Sequence, residues 1–285
     1  MSDEGGRKGA GDRSGLDVPD DGLDGSPERI IRVEPVMGTT VSIDIRAPFV
    51  DAAAVERAVA WFHEVDRRFS LYRPDSEASR VAMGTLRVDD ASPDLRSMIS
   101  LADEVRDRSD GYFDARRHRQ DGLLDTTGVV KGWSVDEAVA ILRLAGAANL
   151  QVAAGGDLVA AGEAAPGRVW RIGIRHPDEP LKVAAVLAVR NLAVATSGLY
   201  ERGDHIRDPR TGRVPRELAS MSVVGPTLAL ADAYATAAFA MGERGLAWVA
   251  RQPGYGGLAI TRAGRMAWTP LVGSLLVPAE PETTA

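Results

Sequence analysis

One stretch of twelve residues constrains the fold more than any other: Leu-Ala-Asp-Ala-Tyr-Ala-Thr-Ala-Ala-Phe-Ala-Met at positions 230–241. Its alanines, leucine and methionine favour a helix. Apolar residues occur on almost every side of that helix, so other elements must cover it all round. Pro226 and Thr227 precede the stretch and Gly242 follows it, as is usual for a helix that ends at a glycine cap. The sequence therefore predicts a central, buried helix.

Two oxygen-bearing side chains interrupt this apolar stretch. Asp232 and Thr236 are four residues apart and so lie on one face of the helix. A buried carboxylate is costly unless it is protonated, paired or bound to a cation, and a carboxylate beside a hydroxyl suits Mg2+. The alternative is structural: Asp232 interacts with the positive end of the helix dipole, and Thr236 bonds back to the carbonyl of Asp232. The stretch alone leaves both interpretations open.

The composition excludes several classes of protein. The chain has 285 residues, of which 45% are apolar and 26% charged, as in globular proteins of one large or two small domains. A net charge of −6 gives no general reason to expect nucleic acid. The absence of cysteine excludes disulfides, thiolate metal sites, cysteine nucleophiles and a lipid-anchored cysteine. We see no apolar run of about 18 residues and no signal core, so we expect a cytoplasmic protein without stable membrane insertion.

The order of predicted elements favours the α+β class. Residues 1–28 and 278–285 read as disordered tails around a domain at 29–277. Helices and strands do not alternate in a regular βαβ rhythm, which argues against a doubly wound sheet. The periodicity predicts helices at 51–69, 93–108, 134–146, 230–241 and 243–250, and strands at 41–45, 150–157, 169–174, 183–189, 192–195, 221–224, 258–261 and 266–269.

Further candidates for chemistry are polar residues next to glycine or in polar loops. Gly128 and Gly132 flank Lys131 before the helix expected at Ser134, so phosphate binding there is plausible, although the Walker sequence is missing. A solvated surface lysine is the alternative. The four histidines share no metal-binding spacing, and His205 is the best candidate among them because its loop is dense in polar residues. The other candidates are Asp114, Asp125, Asp157 and Asp208.

Eight motifs in a fixed order resemble the ApbE family of FAD:protein FMN transferases. The resemblance covers about residues 33–272, and the order of the motifs makes it specific. The motifs are Met-Gly-Thr at 37–39, Phe-Ser-Leu-Tyr-Arg-Pro-Asp-Ser-Glu at 69–77, Asp-Gly-Tyr-Phe-Asp at 110–114, Leu-Asp-Thr-Thr-Gly-Val-Val-Lys-Gly-Trp-Ser-Val-Asp at 124–136, Gly-Gly-Asp at 155–157, Thr-Ser-Gly at 196–198, His-Ile-Arg-Asp-Pro-Arg-Thr-Gly at 205–212 and Ala-Asp-Ala-Tyr-Ala-Thr at 231–236.

The resemblance implies a fold and a reaction. The fold would have mixed, mainly antiparallel sheets packed with helices, T-fold-like, with a flavin cleft between its two halves. In the reaction a threonine or serine hydroxyl of an acceptor protein attacks the FMN-side phosphate of FAD. FMN stays attached through a phosphoester and AMP leaves. The family uses Mg2+.

The resemblance also assigns residues to this site. Asp232 and Thr236 match metal ligands, Gly128 would add its backbone oxygen, and Asp232 and His205 are the catalytic candidates. Whether His205 is a base or a positioning group stays open, as does the contact of Lys131 with phosphate or flavin. The positions that match FAD-binding residues are Met37, Tyr72, Tyr112, Phe113, Asp114, Asp125, Lys131 and Ile206.

One segment departs from the family pattern. Only residues 115–123, rich in arginine, join the Phe-Asp motif to the Leu-Asp motif, and Asp-Ala-Arg stands at 114–116 where the family has Asp-Pro-Thr. The change falls on the adenine side of the expected pocket and on the expected docking surface for the acceptor. The shortened segment therefore favours one alternative to transfer, FAD binding without chemistry. A second alternative in the same site is hydrolysis, in which water replaces the acceptor hydroxyl and FAD gives FMN and AMP.

Overall fold

A computed structural model describes residues 29–46, 51–117, 122–198 and 206–278. The strands are β1 Arg29–Val36, β2 Thr39–Arg46, β3 Leu150–Ala154, β4 Asp157–Ala161, β5 Trp170–Arg175, β6 Val183–Val189, β7 Leu192–Gly198, β8 Leu218–Gly225, β9 Gly256–Thr261 and β10 Met266–Trp268. The helices are α1 Ala52–Phe69, α2 Glu77–Ala82, α3 Pro93–Arg108, α4 Thr127–Leu144, α5 Leu228–Ala240, α6 Arg244–Val249 and α7 Pro270–Gly273, with a 3-10 turn at Val88–Asp90. The tail predicted at 1–28 and nearly all of that at 278–285 lie outside the described residues.

The described strands form one large and one small sheet. Eight strands pair in the order β1-β2-β3-β4-β7-β8-β9-β10, and β5 pairs with β6. Every pair of neighbouring strands in these two sheets is antiparallel. The prediction of an α+β fold with mainly antiparallel sheets is confirmed. Within the described ranges, no helix is long and apolar enough to cross a membrane.

The central strands of the large sheet are covered on both faces. Along β4, Val159 and Ala161 belong to the core that contains the helices, whereas Leu158 and Ala160 pack with the β5–β6 hairpin. Alternate side chains of a strand point to opposite faces, so β4 lies between two apolar layers and is buried at every position. A strand buried on both faces has no apolar–polar alternation, and this is why β4 was not recognised from sequence.

The apolar helix takes the central place that its sequence predicts. α5 packs against α4, α6, β7 and β8, and eleven of its thirteen residues are buried. Met241 is its C-cap, and Gly242 follows with a φ of +65°, as predicted for a glycine after the last turn.

The prediction that a helix begins at Ser134 is wrong, because α4 begins at Thr127. Gly128 and Gly132 lower the helix propensity of the first turns, and the fold uses both for close contacts. A Cβ at Gly128 would lie 2.9 Å from the Phe113 ring, and one at Gly132 would lie 2.5 Å from the carbonyl oxygen of Leu228. Lys131 is therefore a helical residue and not part of a loop before the helix.

One turn after Gly132, Asp136 caps the neighbouring helix. Its two carboxylate oxygens accept hydrogen bonds from the amides of Leu228 and Ala229, each at 2.9 Å. The N-cap residue Thr227 makes no side-chain hydrogen bond to the helix start, so α4 supplies a cap to α5. Burial raises the pKa of Asp136 to about 6, although the two amide bonds act in the opposite direction. Gly132 and Asp136 together fix the start of α5 on α4.

Replacing Gly132 by alanine should destabilise the protein. In an open helix position this change is stabilising by roughly 0.5–1 kcal/mol, but here the added methyl group would press on the backbone of α5. We expect a loss of about 1–3 kcal/mol in the free energy of unfolding, measured by urea denaturation. Glu137→Ala, on an exposed position of the same helix, is the control and should change stability by less than about 0.5 kcal/mol. Stabilisation by Gly132→Ala would contradict this packing.

The stability of the wild type relative to Asp136→Asn should fall as the pH rises. The carboxyl group has a pKa of about 6 in the folded protein and an ordinary value of 3.8. Between these values the folded protein holds a proton that the unfolded chain has released. The contribution of Asp136 to stability is therefore largest at low pH and decreases by up to about 3 kcal/mol towards neutral pH. Urea denaturation of both proteins across this range measures it, and parallel pH curves would disprove it.

Candidate functional site

A cavity of about 670 Å3 opens between the helices and the β5–β6 hairpin. The end of α1, the start of α4, α5 and the turn between β3 and β4 contribute to its wall, together with β5 and β7. The volume is in the range of sites for cofactors and other small molecules. Every described residue that the family resemblance assigns to the site lines this cavity, namely Met37, Tyr72, Tyr112, Phe113, Asp114, Asp125, Gly128, Lys131, Ile206, Asp232 and Thr236. The other two described candidates, Asp157 and Asp208, are not among its lining residues. His205 lies outside the described residues, so its place in the site stays a prediction.

A buried ion-pair cluster joins α4, α5 and β4. The ammonium group of Lys131 contacts the carboxylate of Asp157 and lies 3.3 Å from Oδ2 of Asp232. The side chains of Asp157 and Asp232 are only 2% and 9% exposed. Burial lowers the pKa of Lys131, but the two carboxylates outweigh this effect and hold it above its ordinary value. Lys131 is thus a half-buried, ion-paired cation at the cavity wall, with its side chain 26% exposed, and the alternative of a solvated surface lysine is wrong.

Asp157 is the functional candidate that sequence reasoning did not select for the site. It starts β4 directly after the turn at Gly155 and Gly156, and its Oδ1 accepts a hydrogen bond of 2.8 Å from the amide of Thr196. This bond fixes the carboxylate between neighbouring strands, with Oδ2 on Lys131. The sequence offered one signal, a carboxylate after two glycines, but only the fold places it beside Lys131.

Asp232 and Thr236 present their oxygens to the same cavity from one face of α5. Asp232 is the fifth residue of the helix, and its carboxylate pairs with Lys131. The hydroxyl of Thr236 lies 3.2 Å from the hydroxyl of Ser197 on β7, within hydrogen-bond distance. The two side chains therefore form an oxygen-rich patch on an otherwise apolar helix.

The start of α4 forms a rigid corner of the cavity. Oδ1 of Asp125 accepts hydrogen bonds from the amide and the hydroxyl of Thr127, at 2.9 and 2.5 Å. The amide of Asp125 in turn donates to the carbonyl of Ala115 at 2.7 Å. The Phe113 ring packs against Gly128. The positive end of a helix therefore faces a cavity into which the Lys131 ammonium also projects, an arrangement that favours anions.

The two tyrosines at the cavity have different surroundings. Tyr112 is buried, its hydroxyl accepts a hydrogen bond from Arg244, and the guanidinium of Arg210 lies 4.7 Å from its ring centroid. Tyr72 lies at the cavity edge with its side chain 97% exposed. Tyr112 is held in place by the fold, whereas the ring of Tyr72 has its faces open to solvent.

The donor chemistry of the cavity decides which cation could be held there. Within the described ranges, no group of three or more His, Asp or Glu side chains forms a metal cage. Mg2+ needs only one or two carboxylates when substrate phosphates and water complete its shell. Asp232 and Thr236 meet that smaller requirement, and the ammonium of Lys131 demonstrates that a positive charge fits beside Asp232.

The sequence model of the ApbE family matches residues 37–117 and 115–258. The chain belongs to the ApbE family. The two matched parts meet at residues 115–117, where the short, arginine-rich segment of this ApbE protein begins.

Curated ApbE relatives share the sequence over part of their length. The FAD:protein FMN transferase of Salmonella typhimurium is 29% identical over 171 residues, which cover 56% of this chain and 49% of the relative. The protein of the same name from Rhodobacter capsulatus is 38% identical over 156 residues, covering 52% of this chain and 30% of the relative. The chain spans about half the length of most of the curated relatives it matches.

Solved structures establish the ApbE fold. The flavin transferase ApbE from Vibrio cholerae superimposes with a TM-score of 0.77 at 23% identity, covering 87% of this chain and 99% of that one. The ApbE protein from Thermotoga maritima gives a TM-score of 0.76 at 22% identity, with 88% and 100% covered. The mainly antiparallel architecture implied by the eight motifs is therefore confirmed.

Proposed function

We propose that this protein is a Mg2+-dependent FAD:protein FMN transferase. The observation that carries the proposal is the position of Lys131, Asp232 and Thr236 in one cavity, which all described FAD-matching residues also line. The names of the curated relatives support the same reaction.

The proposed reaction transfers a phosphoryl-linked group between two oxygens. The hydroxyl oxygen of an acceptor threonine or serine attacks the phosphorus on the FMN side of FAD. The bond between this phosphorus and the oxygen that bridges the two phosphates breaks, and AMP leaves with that oxygen. The hydroxyl proton goes to a base, for which His205 is the candidate. Such transfers depend mainly on positioning and on neutralising phosphate charge.

The cavity provides groups for both tasks. Lys131 and the start of α4 supply positive charge to the diphosphate. Tyr72, Tyr112 and Phe113 supply aromatic surface for the flat rings of the substrate. The carboxylate of Asp157, which accepts a hydrogen bond from the Thr196 amide, contacts the Lys131 ammonium and keeps it in place. The buried Ile206 adds apolar wall, and Asp114 adds a carboxylate, anchored by the Arg116 amide at 2.8 Å.

The residues present fit a magnesium ion. Asp232 and Thr236 would hold it through side-chain oxygens and Gly128 through its carbonyl oxygen, with substrate phosphates completing the shell. The ion would neutralise phosphate oxygens and acidify the attacking hydroxyl. The hydroxyl of Thr236 lies 3.2 Å from that of Ser197, which helps to fix its side chain.

Incubation with FAD, Mg2+ and cell-extract proteins tests the proposed function. A transferred FMN leaves a fluorescent protein band on a denaturing gel, and mass spectrometry detects AMP in equal amount. AMP and FMN released without acceptor would assign hydrolysis to the site instead. If bound FAD stays intact when Mg2+ and acceptor proteins are present, the protein binds flavin without catalysing a reaction.

Asp232→Asn should abolish transfer while FAD binding changes less. Loss of the charged ligand removes the proposed Mg2+ site, and removing one such group typically costs about 100-fold or more in rate. FMN transfer is measured at saturating FAD across a Mg2+ titration. Asp89→Asn, an exposed carboxylate outside the cavity, is the control and should transfer at the wild-type rate. Unchanged transfer in Asp232→Asn would eliminate its role as a ligand.

Tyr72→Ala should weaken FAD binding without loosening the fold. The side chain is 97% exposed, so its removal costs little packing. A lost aromatic contact is worth about 0.5–1.5 kcal/mol, which corresponds to a roughly 2–12-fold rise in Kd for FAD. Flavin fluorescence titration and thermal unfolding measure the two effects. A lower melting temperature with unchanged FAD affinity would assign Tyr72 to the fold instead.

A further inference from the structure

The ion-pair cluster of Lys131, Asp157 and Asp232 carries one positive and two negative charges. Both carboxylates are almost fully buried, and one ammonium group contacts both. The cluster therefore has a net charge of −1 when its members are ionised.

The two carboxylates of the cluster are not equivalent. Asp157 is fixed by the amide of Thr196 through Oδ1 and contacts Lys131 through Oδ2. Asp232 lines the cavity, and its distance to the ammonium is 3.3 Å. Asp157 is thus the anchored partner of Lys131, and Asp232 is the partner that an ion entering the cavity can reach.

The choice of lysine in the cluster is notable in this chain. Only three of its 34 basic residues are lysines, Lys8, Lys131 and Lys182. An arginine would grip a carboxylate through a rigid, two-pronged guanidinium, whereas an ammonium group is a compact charge on a flexible stem. A lysine can leave one carboxylate while it stays on another.

We propose that Lys131 acts as a stand-in cation on Asp232, which a divalent ion displaces, and that Asp157 is the positioning residue that retains the displaced ammonium. The inference rests on the proposed function, because it takes Asp232 as the cation ligand. Without metal, Lys131 neutralises the buried carboxylate of Asp232. With metal, Asp157 keeps the ammonium at the cavity wall, where it can face an anionic substrate.

The two parts of the proposal predict opposite changes in Mg2+ affinity. Removing Lys131 removes the competitor, so Lys131→Met should bind Mg2+ roughly 5–150-fold more tightly, the usual range of such coupling. In the absence of Mg2+, the melting temperature of Lys131→Met should be lower than that of the wild type. As MgCl2 is added, it should rise more steeply than that of the wild type. Asp157→Asn keeps an acceptor for the Thr196 amide but leaves Lys131 to Asp232 alone, so it should bind Mg2+ more weakly.

The experiment measures thermal unfolding and calorimetric binding of MgCl2 for the full chain without FAD. Lys182→Met, which removes an exposed lysine paired with Glu179, is the matched control and should respond to Mg2+ like the wild type. Lys131→Gln repeats the test with a neutral side chain of similar polarity in case Lys131→Met is insoluble. The double variant Lys131→Met/Asp157→Asn tests whether Asp157 affects Mg2+ binding by positioning Lys131 or only through its own charge.

Each outcome decides a part of the proposal. Equal or weaker Mg2+ binding by both Lys131 variants would overturn the stand-in role. An equal effect of Asp157→Asn with and without Lys131 would mean that Asp157 acts by charge alone and does not position the lysine. If the wild-type protein transfers FMN but the Lys131 variants respond to Mg2+ as the wild type does, this inference is overturned and the proposed function stands. If the Lys131 variants bind Mg2+ more tightly but the wild-type protein transfers no FMN, the proposed function is overturned and the exchange of Lys131 for a divalent ion stands.

Discussion

The contact of Lys131 with Asp157 and Asp232 is the interaction on which the arrangement of this site depends. It joins two helices and a sheet strand through charges that would be unfavourable alone in such apolar surroundings. α5 can carry a carboxylate on its buried surface because α4 brings an ammonium group to it. The cavity has its polar character for the same reason, since Lys131 and Asp232 both line it.

α4 organises the site through a few residues that have little else in common. Gly128 admits the Phe113 ring, Gly132 admits the backbone of α5, and Asp136 caps that helix. Lys131 lies between the two glycines, next to Gly132, where α4 lies against the backbone of α5. Local packing and electrostatics are therefore coupled here: Gly132 lets α4 and α5 approach closely, and this approach brings Lys131 to Asp232.

Much of this could be predicted from sequence because the signals were local. The apolar pattern of α5 and its glycine cap located the central helix, and the spacing of Asp232 and Thr236 placed both on one face. The ordered motifs located the described residues of the cavity. The start of α4 was missed because glycines normally disfavour helices. The pairing of Asp157 with Lys131 was missed because residues 26 positions apart in the sequence meet only when β4 lies beneath the helix.

The turn between β1 and β2 has a consequence for the rim of the cavity. Met37 and Gly38 both have positive φ, 58° and 67°, and the flanking residues Val36 and Thr39 are paired. This is the geometry of a tight two-residue hairpin, in which asparagine or aspartate normally takes the first place. A methionine there stores about 1–2 kcal/mol of backbone strain. The long, antiparallel β1–β2 pair holds the residue in this conformation, so a flexible thioether is presented to the cavity from a backbone that the hairpin fixes.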